Sequence, residues 1–530
     1  LGARDGEAPQ PGALDGFAWK LAAASTLVAA LLCWFVYERH PHVPDEVVYL
    51  LHARYLAAGK LWLASPPIPA AFDIDLMLLD SGKWYCPVPI GWPAVLAIGA
   101  FFGVPWLVNP LLGGATVLVT YLFARELTNR RDARLVAVLL AASPWFVFLN
   151  MSFMTHSWTL FCAVTAALGV ARSRRTGSIA WTLVGGACIG MVALIRPLEG
   201  LVVALALGLW SIGFGGARLR SGAIAALVLA TAGVAALTLP YNAALTGKAL
   251  DFPIQHYVDV VYGPGKNDMG FGPEKGLGWG GLDPWPGHSP LEAAVTSQFN
   301  VFAMQAELFG WSAGSLLFVL LYFALAKSTR TDRALLAFAF AIPFAGAFYW
   351  FNGGPDFGAR YWYLTIVPLA WLSMRGMRAT EHVAGDARRV RAVACALVAL
   401  AWCTWIPWRA DDKYADYRGM TGAVGRLIAS KQLGRSLVLV HGARHPDFAS
   451  AAVYNPLDLE ADAPIFAWAR DSATRAQLLE HYADRPVWLL RSRDWGQLGY
   501  ELEGPLPASQ VEHAATLLAG PYGATLLGDL

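Results

Sequence analysis

The chain has 530 residues, 56% of them apolar and only 15% charged, with a mean hydropathy of +0.44. That balance excludes an ordinary water-soluble protein of this size and implies a polytopic membrane protein. A formal net charge of +2 gives no argument for nucleic acid or an acidic partner, so the positions of the charges carry the information rather than their sum.

Taken in chain order, residues 1–18 (LGARDGEAPQPGALDGFA) have the Gly, Pro and charge content of a disordered tail, and a first residue of Leu rather than Met reads as a processed or unusual start. Residues 19–37 are apolar and long enough to span. No small-residue cleavage site precedes Pro41, so they read as an uncleaved first helix rather than a signal peptide. Five Lys/Arg clusters mark cytoplasmic turns: RELTNRRDAR (125–134), RSRRTG (172–177), RLRS (218–221), KSTRTDR (327–333) and RGMRATEHVAGDARRVR (375–391). The connections between them, NMSFMTHSW (150–158), IRPLEG (195–200), residues 239–308 and WFNGGPDFGARYW (350–362), lack clustered positive charge and fall on the opposite side.

These constraints predict roughly eleven crossings, near 19–37, 106–124, 135–150, 157–171, 179–195, 198–214, 222–239, 310–326, 334–350, 361–374 and 391–407, with the N-terminus inside and the C-terminus outside. Residues 93–104 (PAVLAIGAFFGV) would invert every later loop if they crossed, so they read as a short helix dipping into the outer leaflet. The exoplasmic stretch before them places Val47, Leu50, Leu51, Arg54 and Tyr55 at helical spacing, which predicts an amphipathic helix on the membrane surface.

The expected fold class is thus a mainly α polytopic bundle with a small exoplasmic α/β domain. The expected domains are the tail (1–18), a transmembrane module (19–407) carrying exoplasmic loops 38–105 and 240–308, and a soluble domain (408–530). In the last, SLVLVHG, APIFAWA and RPVWLLR read as strands and SATRAQLLEHYA as an amphipathic helix. No short repeat and no inverted pair of broken helices is visible. The six cysteines show no ligand or disulfide spacing and read as small core residues. His256, His288, His441 and His445 have no metal-ligand spacing, so no zinc site is predicted.

The chemistry centres on PDE, residues 44–46, just beyond the first helix. Two readings stay open: Asp45 caps a helix with Glu46 in its first turn, or one carboxylate serves as base or metal ligand while the other holds the scaffold or acceptor. The order of parts, PDE, then LLHARYLAAGKLW, then GKWYCPVPIGWPAVLAIGAFFGV, resembles that of GT-C glycosyltransferases, in the branch that includes protein O-mannosyltransferases and lipid A aminoarabinose transferases. YLFARELTNRRDARLVAVLLAASPWFVFLNMSFMTHSW, GACIGMVALIRPLEGLVVAL, TLPYNAALTGKALDFPI and DFGARYWYLTIVPLAWLSMRGM extend the resemblance over most of residues 19–407.

This resemblance implies transfer of a sugar from a polyprenyl-phosphate donor, with inversion, to a glycan, lipid or protein acceptor on the outer face. It implies Asp45 as general base and Glu46 as the residue orienting the acceptor or a cation, and it leaves room for a divalent cation. For the phosphate it points to Lys83 and Arg360, with Arg196, Arg54, His156 and Tyr361 as further substrate-binding candidates. Each cation has an alternative as a snorkelling side chain, and Arg196 pairs equally well with Glu199. Tryptophans and tyrosines near 279, 285, 311, 349–350 and 361–363 read mainly as an aromatic belt, and the glycines of 263–290 as a cover that orders when donor binds. The C-terminal domain departs from the commonest family plan. Two other classes compete with the enzyme: a non-catalytic subunit of a larger assembly, and a lipid or sugar transporter.

Overall fold

The computed structural model describes residues 15–278, 285, 287–351, 353–354, 356–441, 445–492, 500–507 and 509–511. Residues 1–14 of the expected tail lie outside this set. The rest of that expectation is corrected: helix α1 (Gly16–Phe35) starts at Gly16, because Asp15 caps it through Oδ1, which accepts from Ala18 N at 2.9 Å.

After α1 come α2 (Pro44–Ala57), a small antiparallel sheet of β1 (Leu63–Ala64), β2 (Leu78–Asp80) and β3 (Lys83–Tyr85) in the order β1-β3-β2, and α3 (Gly91–Phe101). The helical body continues with α4 (Val108–Leu127), α5 (Arg130–Ala142), α6 (Pro144–Met151), α7 (His156–Thr176), α8 (Ile179–Ile195), α9 (Pro197–Ile212), α10 (Ser221–Ala235) and α11 (Thr238–Thr246). It is completed by α12 (Pro253–Val261), α13 (Pro290–Glu307), α14 (Leu317–Leu325), α15 (Arg330–Gly346), α16 (Ile366–Ala384) and α17 (Ala387–Leu400). Among the described residues four helical stretches are long and apolar enough to cross a membrane: Gly16–Phe35, Pro105–Leu127, Ser221–Thr246 and Ala387–Gly419. A fifth is formed if α5 and α6, bent by 57°, count as one span. Helices stand at the expected crossing positions, yet α14 has nine residues, about 14 Å of helix against a hydrocarbon core of about 30 Å.

Small residues let these helices approach closely. A Cβ on Gly186 or Gly190 of α8 would lie 2.5 Å from Leu227 O or 2.7 Å from Thr231 O of α10. The basic turns gather at one end and are stitched there by acids. Asp15 holds Arg130 and Arg134, Glu126 holds Arg172 and Arg175, and Asp132 holds Arg378, while Glu381 holds Arg378 and Arg391.

Two expectations are corrected in shape. The last long helix does not stop at Pro407. It runs on through a π turn (Ala401–Trp405), α18 (Ile406–Arg409) and a second π turn (Ala410–Tyr414), whose wider hydrogen-bond spacing accommodates a proline that cannot donate. Helix α2 is not a surface stripe, since residues on all its sides are buried, including Glu46, Val48, Tyr49, His52 and Tyr55. Its outer face is covered by the C-terminal part of the chain, where Arg54 donates to Val453 O at 2.7 Å and Asn455 O at 2.6 Å.

That part comprises α19 (Ala423–Ser430), β4 (Leu437–His441), α20 (His445–Ala452), β5 (Ile465–Trp468), α21 (Ser472–His481), β6 (Val487–Ser492) and β7 (Tyr500–Leu506). The sheet order is β5-β4-β6-β7, with β4 parallel to both neighbours and β7 antiparallel to β6. The fold as a whole is mainly helical with two small sheets. Of the cysteines, Cys395 and Cys403 are exposed on the last long helix rather than in the core, and Cys33, Cys86 and Cys162 are buried.

Candidate active site

A cavity of about 910 Å³ opens at the end of the molecule opposite the stitched basic turns. Helix α2 contributes Asp45 and Tyr49, the α8–α9 break contributes Arg196 and Glu199, and the segment before α16 contributes Asp356, Arg360 and Tyr361. Apolar side chains Leu198, Leu201 and Val202 of α9 and Ile342 and Ala345 of α15 line another flank, and Leu201 is itself largely exposed on the outer surface.

The local sequence explains how the acids are set. Pro44 begins α2 with its fixed φ and missing donor, and Val43 is the N-cap, without a side-chain bond. The capping reading is therefore corrected: Asp45 and Glu46 both lie in the first turn, and it is Glu46 that satisfies loose donors. Its Oε2 accepts from His42 N and Tyr37 OH, both at 2.9 Å, and its Oε1 from Phe153 N at 2.8 Å. Glu46 is wholly buried, and burial pushes its carboxyl up to about 7 against the pull of these hydrogen bonds. It faces away from the cavity, pinning the 37–46 loop to the α6–α7 junction, so the expected role of orienting an acceptor or cation does not fall to it. Asp45, its neighbour, is turned about 100° around the helix and faces the cavity.

Arg360 is the central cation. Its Nη1 lies 3.7 Å from Asp45 Oδ2, its Nη2 3.3 Å from Asp356 Oδ2, and its Nε donates to Gly353 O at 2.5 Å. Arg196 forms an ion pair with Glu199 and lines the cavity. Its guanidinium stands 4.3 Å from the Tyr361 ring centroid, and its Nη1 is 3.5 Å from His156 Nε2. Tyr361 thus separates the two arginines, and His156 stands behind Arg196, outside the lining.

Two predicted phosphate ligands are placed elsewhere. Lys83 Nζ donates to Ala244 O at 2.8 Å and Leu245 O at 3.4 Å, closing the carbonyl end of α11, and lies 4.9 Å from the Trp62 ring centroid. Arg54 tethers the C-terminal part, as described above. Lys83 nevertheless shares the cavity's end of the molecule, because α12, which follows α11, contributes Gln255 and Tyr257 to the lining.

Sequence reasoning missed Asp356 and Arg418. Asp356 holds Arg360 and also Arg418, whose Nη2 is 2.8 Å from Asp356 Oδ1. The only signal was an acid four residues before Arg360 in DFGAR, in a stretch without helical pattern. From the expected cover, Asn267 lines the cavity and its Oδ1 accepts from Tyr349 OH at 2.7 Å and Trp350 Nε1 at 3.1 Å. Residues 279–284 and 286 of that segment, including Trp279, lie outside the described residues. The side chain of His445 does too. Among the described residues no group of three or more His, Cys, Asp or Glu is placed to hold a metal ion.

No family model and no curated protein matches the sequence. Solved structures do match. ArnT from Cupriavidus metallidurans, bound to undecaprenyl phosphate, aligns with TM-score 0.51 and 15% identity over 91% of this chain and 94% of that one. The oligosaccharyltransferase of Archaeoglobus fulgidus in the apo form aligns with TM-score 0.45 and 15% identity over 81% of this chain, which spans 64% of that protein's length. The arabinofuranosyltransferase AftD from Mycobacteria aligns with TM-score 0.43 and 15% identity over 81% of this chain and 31% of its own. The architecture of ArnT is thus shared over nearly the whole of both chains.

Proposed function

We propose that the protein is an inverting glycosyltransferase that moves a sugar from a polyprenyl-phosphate donor to an acceptor hydroxyl on the exoplasmic face of the membrane. The observation that carries this reading is the Asp45–Arg360 pair at the cavity wall, 3.7 Å apart. The fold shared with a protein solved with undecaprenyl phosphate supports the donor class. The apolar flank between α9 and α15 suits a lipid tail. In this reading eleven crossings carry the bundle through a cell membrane, the stitched basic turns and N-terminus lie in the cytoplasm, and the cavity and residues 408–530 lie outside.

The acceptor O–H proton passes to Asp45, the oxygen attacks the anomeric carbon, and the bond from that carbon to the phosphate oxygen breaks with its electron pair leaving on the phosphate. Along the cavity wall three arginines are paired with three carboxylates, Arg196 with Glu199 and Arg360 and Arg418 with Asp45 and Asp356, while Asp75 and Asp268 also line it. When Asp45 takes the proton it becomes neutral and Arg360 loses one counter-charge. That happens as the departing phosphate goes from one negative charge to two. Proton transfer to the base therefore frees positive charge for the leaving group at the moment it forms.

The test is Asp45→Asn in the full chain. Sugar transfer is expected to fall by about 10²-fold or more, as loss of a general base does, with membrane insertion and unfolding temperature preserved. The readout is mass spectrometry of lipids and glycans from cells carrying the wild-type gene, the variant or neither. Wild-type product levels from the variant would reject Asp45 as base. The open cavity favours this reading over a non-catalytic subunit, whose equivalent space would be filled by side chains.

A further inference from the structure

Beyond the last long helix the chain makes a tight turn in which Asp416 (φ 49°) and Arg418 (φ 56°) both adopt left-handed backbone, a conformation that is strained for residues with a side chain. The turn sends Arg418 back into the cavity. There its Nε and Nη2 lie 2.9 and 2.8 Å from Asp356 Oδ1, an oxygen that also accepts from Tyr417 OH at 2.9 Å. Asp356 Oδ2 faces Arg360, so an alternating row Asp45–Arg360–Asp356–Arg418 crosses the cavity wall.

The turn is held from its far side by Glu38, the residue that follows Tyr37 beyond α1. Glu38 Oε2 accepts from Thr421 Oγ1 at 3.0 Å and Gly422 N at 2.7 Å, and Oε1 pairs with Arg426. The three cavity arginines differ in how committed they are. Arg360 is 3% exposed and holds two carboxylates and a carbonyl, and Arg196 is 14% exposed, paired to Glu199 and stacked on Tyr361. Arg418 is 37% exposed, directs both its bonds to one oxygen, and has no hydrogen-bond partner at Nη1 among the described residues.

We propose that Arg418 is a binding residue for the phosphate of the donor lipid, so that the segment leading into the C-terminal part of the chain is a component of the transfer site rather than a cap over it. This rests on the donor reading given above. A phosphate presents several acceptor oxygens and gains a second negative charge as the sugar leaves. A guanidinium with an open edge, oriented by a neighbouring carboxylate, meets that need better than a buried one already saturated.

The test uses the full chain in lipid nanodiscs. Binding of undecaprenyl phosphate, and of undecaprenol as its uncharged counterpart, is followed by quenching of tryptophan fluorescence. Arg418→Gln is expected to raise the Kd for undecaprenyl phosphate about tenfold or more and leave undecaprenol binding unchanged. Arg418→Lys, which keeps the charge and loses the planar fork, is expected to fall between.

Phosphate-selective binding by the wild type that Arg418→Gln leaves within twofold overturns the role of Arg418 and spares the donor reading. Equal binding of the two lipids by the wild type overturns the donor reading and the proposal with it. Arg418-dependent binding of glycerol 3-phosphate, with undecaprenyl phosphate unaffected, assigns the anion to the acceptor and overturns the donor assignment. Should Arg418→Gln fail to fold, Arg418→Lys decides: a Kd unchanged from wild type overturns the proposal.

Discussion

Asp45 and Glu46 are adjacent in sequence and opposite in environment. One is half-open beside a guanidinium, and the other is sealed among three donors. The sealed one has a pH signature. Glu46 binds its proton more tightly in the folded chain, at about 7, than at the ordinary value of 4.5, so the stability it contributes is full below pH 4.5 and is lost as pH rises through 7. Burial also holds the neighbouring His40 and His42 neutral, with values lowered from 6.5 to about 4 and about 3, so their contribution has the opposite sign: it is lost as pH falls below 6.5, where the unfolded chain binds the protons they refuse. The unfolding temperature of Glu46→Gln relative to wild type is therefore expected to rise as pH goes from 4.5 to 7, and a difference that stays constant over that range would count against the assignment.

At this scale the sequence put Asp45, Arg196 and Arg360 on one side because each lies at a helix end whose sidedness the basic turns dictate, and one cavity brings the three together. Lys83 and Arg54 share that sidedness but spend their donors on carbonyls of α11 and of residues 453 and 455. No local pattern reveals a partner about 160 or 400 residues away. Arg418 escaped for the same reason, and Asp356 because its spacing of four before Arg360 stands in a stretch without helical pattern.

Among the elements, those with strong apolar runs were legible and those shaped by packing were not. The 3.6-residue stripe in α2 was real, but its opposite face is buried too, and burial by a distant part of the chain leaves no mark on periodicity. Pro407 reads as a terminator until two π turns absorb it. The α8–α10 contact depends on glycines that composition alone does not distinguish from flexible ones. Gly190→Leu places a side chain against Thr231 O and Val234 Cβ, each 2.7 Å from the new Cβ. Overpacking of this kind costs about 1–3 kcal/mol. The unfolding temperature of the purified variant is expected to drop accordingly, whereas Gly208→Leu, where a Cβ meets nothing within 4 Å, is expected to leave it unchanged.

Over the whole molecule the two ends differ in kind. One is a rim of arginines stitched to Asp15, Glu126 and Asp132, and the other holds the cavity and the second sheet. The proposed orientation predicts that, in a chain lacking the exposed Cys395 and Cys403, Asp484→Cys reacts with a membrane-impermeant maleimide added to intact cells. Arg389→Cys should react only after permeabilisation, and reversed labelling would invert the topology. Both positions are exposed.

The covering of α2 sets a schedule for biogenesis. Glu38 and Arg54 find their partners 384 and 399 residues later. At ribosomal rates of about 5–20 residues per second, the first outward loop waits roughly 20–80 s before those partners are synthesised. During that interval His40 and His42 stand without their carbonyl partners at Ser450 and Tyr414, although Glu46 is sealed once Phe153 is in place, so the nascent chain holds this loop in a provisional fold on the outer surface until the last part arrives.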